Sequence, residues 1–190
     1  MKCGALILAA GASTRLGQPK QLVRLEGETL LVRSVRVARE AGCAPIVVVL
    51  GAFEDLIRSQ CNLEDVQVIL NPEWSEGMGT SLACGVGAFE EDQSVEGVVI
   101  MTCDMPAVTA DHLRLLASSG DVTASSYANR KGVPAYFPSS LFSRLIELKG
   151  DAGAREILRS ANAVPLTNGE LDIDTIVDLA RAQRQSLDRH

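Results

Sequence analysis

The chain has 190 residues, 46% hydrophobic and 22% charged, and its 24 acidic against 18 basic side chains leave a formal charge of −6 with histidine neutral. The basic residues are mostly arginine and lie scattered along the chain, which argues against a nucleic-acid binder, because neutralising a phosphate backbone takes a concentrated Lys/Arg surplus. With one Trp, two Tyr and four Phe, the core must be built mainly from Val, Leu, Ile and Ala, which suits a helix-covered parallel sheet better than an aromatic-rich β-sandwich.

Short apolar runs alternate with longer segments of helical period, the pattern of βαβ units. The first strand is expected over residues 4–9. A helix follows over 29–41, where Leu30, Leu31, Val35, Ala38 and Ala41 share one face, Arg33, Arg36, Arg39 and Glu40 lie away from it, and Gly42 is a stop signal. A strand over 45–50, a helix over 53–61, a strand over 66–70 and a helix over 80–91 continue the alternation. The strand at 97–102 leads to a helix over 109–118, with Thr109 as N-cap. After a strand at 122–126, the turn Asn129-Arg130-Lys131-Gly132 between β-compatible runs predicts a hairpin near the sheet edge, where Pro134 is tolerated. Helices over 138–148, 152–160 and 175–185 complete the chain. The expected fold is a single-domain, three-layer α/β/α structure over residues 1–190, with a mostly parallel, doubly wound sheet and an antiparallel edge hairpin.

Cys3, Cys43, Cys61, Cys84 and Cys103 are odd in number and contain no C-x-x-C pair, so neither a disulfide framework nor a structural zinc site is expected. No apolar run approaches the ~20 residues of a membrane span, and the opening stretch shows no signal-cleavage pattern. A reduced, cytoplasmic protein without a membrane or nucleic-acid partner is expected.

Leu8-Ala9-Ala10-Gly11-Ala12-Ser13-Thr14-Arg15-Leu16-Gly17-Gln18-Pro19-Lys20 follows the first strand directly. Small residues there let the backbone turn tightly and leave N–H groups for an anion, while Arg15 and Lys20 add the charge a triphosphate needs. The spacing matches neither the P-loop nor the Rossmann pattern. A Gly/Ala turn with two solvated cations is the plain alternative. Asp104 ends the apolar run Val98-Val99-Ile100-Met101-Thr102-Cys103, where α/β sheets bind ligands; its carboxylate is placed to hold Mg²⁺ or, equally, to cap a turn. In Leu171-Asp172-Ile173-Asp174-Thr175, alternation puts Asp172 and Asp174 on one side, and Asp174 or Thr175 can cap the last helix.

These three segments resemble the MobA-like nucleotidyltransferases, and within them the molybdenum cofactor cytidylyltransferases. Asn71-Pro72-Glu73-Trp74-Ser75-Glu76-Gly77-Met78-Gly79-Thr80-Ser81-Leu82, Gly132-Val133-Pro134 and Gly150-Asp151-Ala152-Gly153-Ala154-Arg155 support the likeness. The resemblance implies a nucleotide-diphospho-sugar transferase-like fold. It implies that Ala10, Gly11, Ala12 and Ser13 wrap the nucleotide, with Arg15 and Lys20 on its phosphates and Asn71, Gly77, Gly79 and Ser81 toward base and ribose. Asp104 would be the principal Mg²⁺ ligand and Asp174 the second, with Arg15, Lys20 and Asp104 carrying catalysis. Gly132, Asp151 and Arg155 would lie toward the acceptor. The Ala-Ala-Gly form favours CTP as donor, and the closest subfamily implies the molybdenum cofactor as the phosphate-bearing acceptor, with a molybdenum enzyme as the recipient of the product. The rival readings are a cytidylyl- or guanylyltransferase with another small phosphate acceptor and a non-catalytic, nucleotide-binding maturation factor. On residues alone, Gly77, Gly79, Gly85 and Ser81 can equally serve a helix start close to the sheet, and Asp151 and Arg155 an i,i+4 ion pair.

Overall fold

A computed structural model describes residues 2–13, 15–90, 92–150 and 154–187. Its strands are β1 (Cys3–Ala9), β2 (Arg24–Leu25), β3 (Glu28–Thr29), β4 (Ile46–Leu50), β5 (Gln67–Leu70), β6 (Gly97–Thr102), β7 (Thr123–Tyr127), β8 (Arg130–Pro138) and β9 (Asn162–Pro165). The helices are α1 (Leu30–Glu40), α2 (Glu54–Gln60), α3 (Met78–Glu90), α4 (Ala110–Ala117), α5 (Phe142–Ile146), α6 (Arg155–Ser160) and α7 (Ile176–Leu187). One seven-stranded sheet has the order β5-β4-β1-β6-β8-β7-β9. Neighbours from β5 to β6 are parallel, β8 runs antiparallel to β6 and β7, and β9 pairs in parallel with β7.

The central strands are apolar on both faces because helices cover both. In β1, Ala5, Ile7 and Ala9 join the core beneath α1 and α4, whereas Leu6 and Leu8 join the one beneath α3, α5 and α6. β4 divides in the same way, with Ile46, Val48 and Leu50 on the first side and Val47 and Val49 on the second. Period-two alternation in a fully buried strand thus builds the three expected layers. α1 starts as its pattern predicts, the Thr29 side chain accepting from the Val32 amide at 3.4 Å.

Two strand pairings lie outside the expected set. β2 and β3 are joined through Glu26 and Gly27 at φ 55° and 84°, a tight turn that no long apolar run announces. β9 is short and mostly exposed, so its pairing with β7 leaves no alternation to read. The helix expected over 138–148 divides into a single 3-10 turn, Ser139–Leu141, and α5. Among the described residues no helix is long and apolar enough to cross a membrane.

A third, smaller core positions the site. Leu16, Val23, Leu25 and Leu30 pack with Leu171, Ile173 and Ala182, which clamps the segment after the first loop against the chain leading into α7. Leu171 and Ile173 point into this cluster, so the alternating Asp172 and Asp174 face out of it.

Candidate active site

β1 and β6 are in register through Leu8↔Thr102, so the loop after Ala9 and the turn carrying Asp104 leave the same carboxyl edge side by side. Three inward contacts set the loop's shape. Gln21, fully buried, donates from Nε2 to the carbonyls of Ala9 at 2.6 Å and Gly11 at 3.0 Å, and the Ala52 amide donates to the Ala10 carbonyl at 2.9 Å. In a planar trans peptide the N–H points opposite to the C=O, so the amides of Gly11 and Ala12 face away from these anchors. That is the polarity an anion cradle requires. Ser13 holds φ at 52°, a left-handed conformation uncommon outside glycine. Arg15 is exposed.

The Lys20 side chain crosses to the Asp104 turn. Its Nζ lies 2.5 Å from Asp104 Oδ2 and 3.3 Å from Asp174 Oδ1. Burial works against the Lys20 charge, but the Asp104 carboxylate outweighs it and holds the ammonium above its ordinary range. The Ile173 amide donates to the Asp104 carbonyl at 3.0 Å, which ties the two acidic segments together through the backbone. Asp172 sits beside them, its pKa pushed up to about 6 by burial and by the neighbouring Asp104 and Asp174 charges.

Capping does not use up these carboxylates. At the start of α7, Thr175 and Asp178 bond reciprocally: the Thr175 amide and hydroxyl donate to Asp178 Oδ2 at 2.9 and 2.7 Å, and the Asp178 amide donates to Thr175 Oγ1 at 3.3 Å. The Asp174 carboxylate is left to Lys20. The Asp104 carboxylate accepts no backbone N–H among the described residues, and its Oδ1 is buried without a hydrogen-bond partner. Ser13 Oγ and Gln21 Oε1 are also buried and have no partner among the described residues, so orphaned polar atoms gather around one loop.

An orphaned, buried carboxylate oxygen fits a divalent cation. Among the described residues there is no cluster of three or more metal-ligating side chains. Two carboxylates completed by substrate phosphates are the donor set that Mg²⁺ or Mn²⁺ accepts, and a protein cage of four is not needed.

On the other side of β1, the Asn71 side chain donates to Thr80 Oγ1 at 3.0 Å and to Ser81 Oγ at 2.9 Å, and accepts from the Glu73 amide at 3.0 Å. Asn71 and Ser81, both buried, thereby fix the loop that brings Gly77 and Gly79 to the start of α3. Gly77 needs its φ of 119°, which L side chains rarely adopt. Gly79 needs its missing side chain: its amide donates to the Gly150 carbonyl at 2.8 Å, and a Cβ would stand 2.5 Å from that oxygen. Gly79→Ala should therefore cost about 1–3 kcal/mol through overpacking against backbone. Gly87→Ala, in the same helix with open space at its Cβ, should add about 0.5–1 kcal/mol. Paired thermal melts check the opposite signs.

The structure thus brings Ala10, Gly11, Ala12, Ser13, Lys20, Asp104 and Asp174 to one edge, with Asn71, Gly77, Gly79 and Ser81 gathered where β5 leaves the same edge for α3. Gly132 lies under Tyr127 in the β7–β8 hairpin, and Arg155 opens α6, exposed. Asp151 falls outside the described residues. Gln21 belongs to no motif; its one sequence signal is an uncharged amide directly after the lysine of the first loop.

A doubly wound sheet with a small-residue loop, a lysine and paired carboxylates at its carboxyl edge defines a nucleotidyltransferase. Residues 5–165 match the MobA-like NTP transferase domain, and the chain belongs to that family. It is 33% identical to the purine catabolism protein PucB of Bacillus subtilis over 90% of each chain. It is 29% identical to nicotine blue oxidoreductase of Paenarthrobacter nicotinovorans, covering 93% of this chain and 94% of the relative. It is 27% identical to the molybdenum cofactor cytidylyltransferase of Escherichia coli K12 over 95% of each. Among solved structures, Rv0371c of Mycobacterium tuberculosis in complex with manganese superposes with a TM-score of 0.80 at 26% identity, covering 97% of this chain and 99% of that one.

Proposed function

We propose that this enzyme transfers CMP from CTP to the terminal phosphate of the molybdenum cofactor and releases pyrophosphate. The observation that carries the reading is the Lys20 ammonium shared between Asp104 and Asp174 beside the Ala10–Ser13 loop. That arrangement offers anion-binding amides, an ammonium and cation-binding carboxylates within one edge. The resemblance of the Ala-Ala-Gly loop and the likeness to the Escherichia coli cytidylyltransferase support CTP and a molybdenum cofactor acceptor over GTP.

In the proposed reaction an acceptor phosphate oxygen attacks the α-phosphorus of CTP. The new O–P bond forms as the bond from the α-phosphorus to its bridging oxygen breaks, and that oxygen leaves with the electron pair as pyrophosphate. A phosphate monoester is already largely ionised near neutral pH, so the chain needs no histidine or cysteine to activate it. The amides of Gly11 and Ala12 orient the triphosphate, with Arg15 and Lys20 balancing its charge. Asn71, Gly77, Gly79 and Ser81 shape the wall for ribose and base. Asp104 and Asp174 would hold Mg²⁺, which when bound supplies charge stabilisation on the phosphate oxygens. The five free cysteines are in keeping with a reducing, cytoplasmic setting.

The test is pyrophosphate release measured with all four NTPs and Mg²⁺ against a panel of acceptor phosphates that includes the molybdenum cofactor. CTP with the molybdenum cofactor should exceed every other pair. CTP binding without pyrophosphate release from any pair would identify a non-catalytic maturation factor.

A further inference from the structure

The β7–β8 hairpin carries a cation that the site described so far leaves unused. β7 runs parallel to β9 and antiparallel to β8, so its carboxyl end, Tyr127, lies at the same sheet edge as the Asp104 turn. Pairing between β6 and β8 stops at Ile100↔Ala135, and residues Arg130 to Pro134 run on past it along the flank of that turn. Arg130 opens this overhang opposite Tyr127, exposed, with its guanidinium carbon 5.3 Å from the centre of the Tyr127 ring.

The ring is fixed on several sides. Its hydroxyl donates to the Val133 carbonyl at 2.9 Å. A Cβ on Gly132 would stand 2.5 Å from that hydroxyl, and one on Gly169 would stand 2.7 Å from the ring edge. Gly132 therefore works by making room for Tyr127, and Tyr127 in turn gives Arg130 a rigid platform. The acidic cluster is felt here: burial first, then the charges of Asp172 and Asp104, raise the pKa of the Tyr127 hydroxyl, and Arg130 opposes the shift at both Tyr127 and Asp172. Lys131, the next residue, is bound elsewhere, donating to the carbonyls of Arg159 and Ala161 at 3.1 and 2.6 Å.

The sheet order decides which anion Arg130 faces. The triphosphate loop follows β1, the carboxylate Asp104 follows β6, and Arg130 stands on β8, so Arg130 and the loop flank Asp104 from opposite sides. Two strand spacings, about 10 Å, separate β1 from β8, with the Asp104 turn of β6 between them. In-line displacement puts the attacking oxygen opposite the departing pyrophosphate. The cation across Asp104 from the triphosphate loop is then on the side where the nucleophile enters. A guanidinium fork also matches a phosphate's paired oxygens better than a lysine's point charge does.

We propose that Arg130, stacked on Tyr127, binds the phosphate monoester of the acceptor and makes the hairpin tip the acceptor wall of the active site; the assignment rests on the transferase reading above. Steady-state kinetics of pyrophosphate release with CTP and the molybdenum cofactor test it. Arg130→Ala should raise the acceptor KM by about tenfold or more, while the CTP KM and the melting temperature stay at wild-type values. Arg130→Lys, which keeps the charge and loses the fork, should recover part of that loss. An unchanged acceptor KM in Arg130→Ala, or equal rises in both KM values, overturns the assignment while the transferase reading stands. A wild-type enzyme that releases no pyrophosphate with any acceptor overturns both.

Discussion

Asp104→Asn should lower nucleotidyl transfer by about 10²–10³-fold, the loss typical when one preorganised charge interaction is removed from an active site. Asparagine keeps the volume of the side chain and an oxygen for Lys20, so the buried turn after β6 should remain folded. What it loses is the negative charge. Asp104 is only 6% exposed, it binds Lys20 through Oδ2, and its Oδ1 has no partner among the described residues. A buried acceptor held without a partner costs roughly 1–3 kcal/mol, a cost that a cation ligand removes. Two measurements belong together: pyrophosphate release with CTP and acceptor, and Mn²⁺ binding followed by electron paramagnetic resonance. Both should collapse in the variant while circular dichroism is unchanged. Turnover near the wild-type rate would remove Asp104 from the metal site.

Strands β1, β4 and β6 are legible in sequence because strands buried on both faces must be apolar throughout, and Gly4 to Ala9, Ile46 to Leu50 and Gly97 to Met101 are. β9 escapes notice because it is held by backbone pairing with Thr123–Ser126, while most of its side chains face water. The same limit applies at the site. Alternation in Leu171–Asp174 is enough to place Asp172 and Asp174 on one side, since Leu171 and Ile173 must be buried. It does not bring Asp174 to Lys20, 154 positions earlier, or Asp104 to Lys20, 84 positions earlier. Those approaches depend on the register of β1 with β6 and on the small core around Leu16, Leu30 and Ile173. Residue chemistry and family resemblance name the residues, and the fold supplies the distances. Gln21 shows the converse: its whole contribution is two hydrogen bonds to backbone carbonyls, which no pattern of side-chain types encodes.

Lys20→Met should move two observables in opposite directions. Lys20 is the cation that balances the phosphates in the proposed transfer, so its loss should lower turnover by about 10²–10³-fold. Yet in the proposed site the same ammonium would compete with a divalent cation for the oxygens of Asp104 and Asp174, which it touches at 2.5 and 3.3 Å. Methionine fills much of the same space without charge. Asp104, Asp172 and Asp174 then repel one another with less compensation, and an entering cation relieves that repulsion. Mn²⁺ affinity measured without nucleotide should therefore rise by about tenfold, equivalent to about 1.4 kcal/mol, a fraction of the attraction between charges this close at partial burial. A general loss of fold would lower turnover and Mn²⁺ affinity together, so the opposed signs separate competition at the carboxylates from simple damage. In the proposed wild-type reaction, a triphosphate that draws Lys20 away would expose the carboxylates to a divalent cation, so nucleotide and metal should bind with positive coupling. That coupling should vanish in Lys20→Met, and equal coupling in both proteins would show that Lys20 does not contest the metal's place.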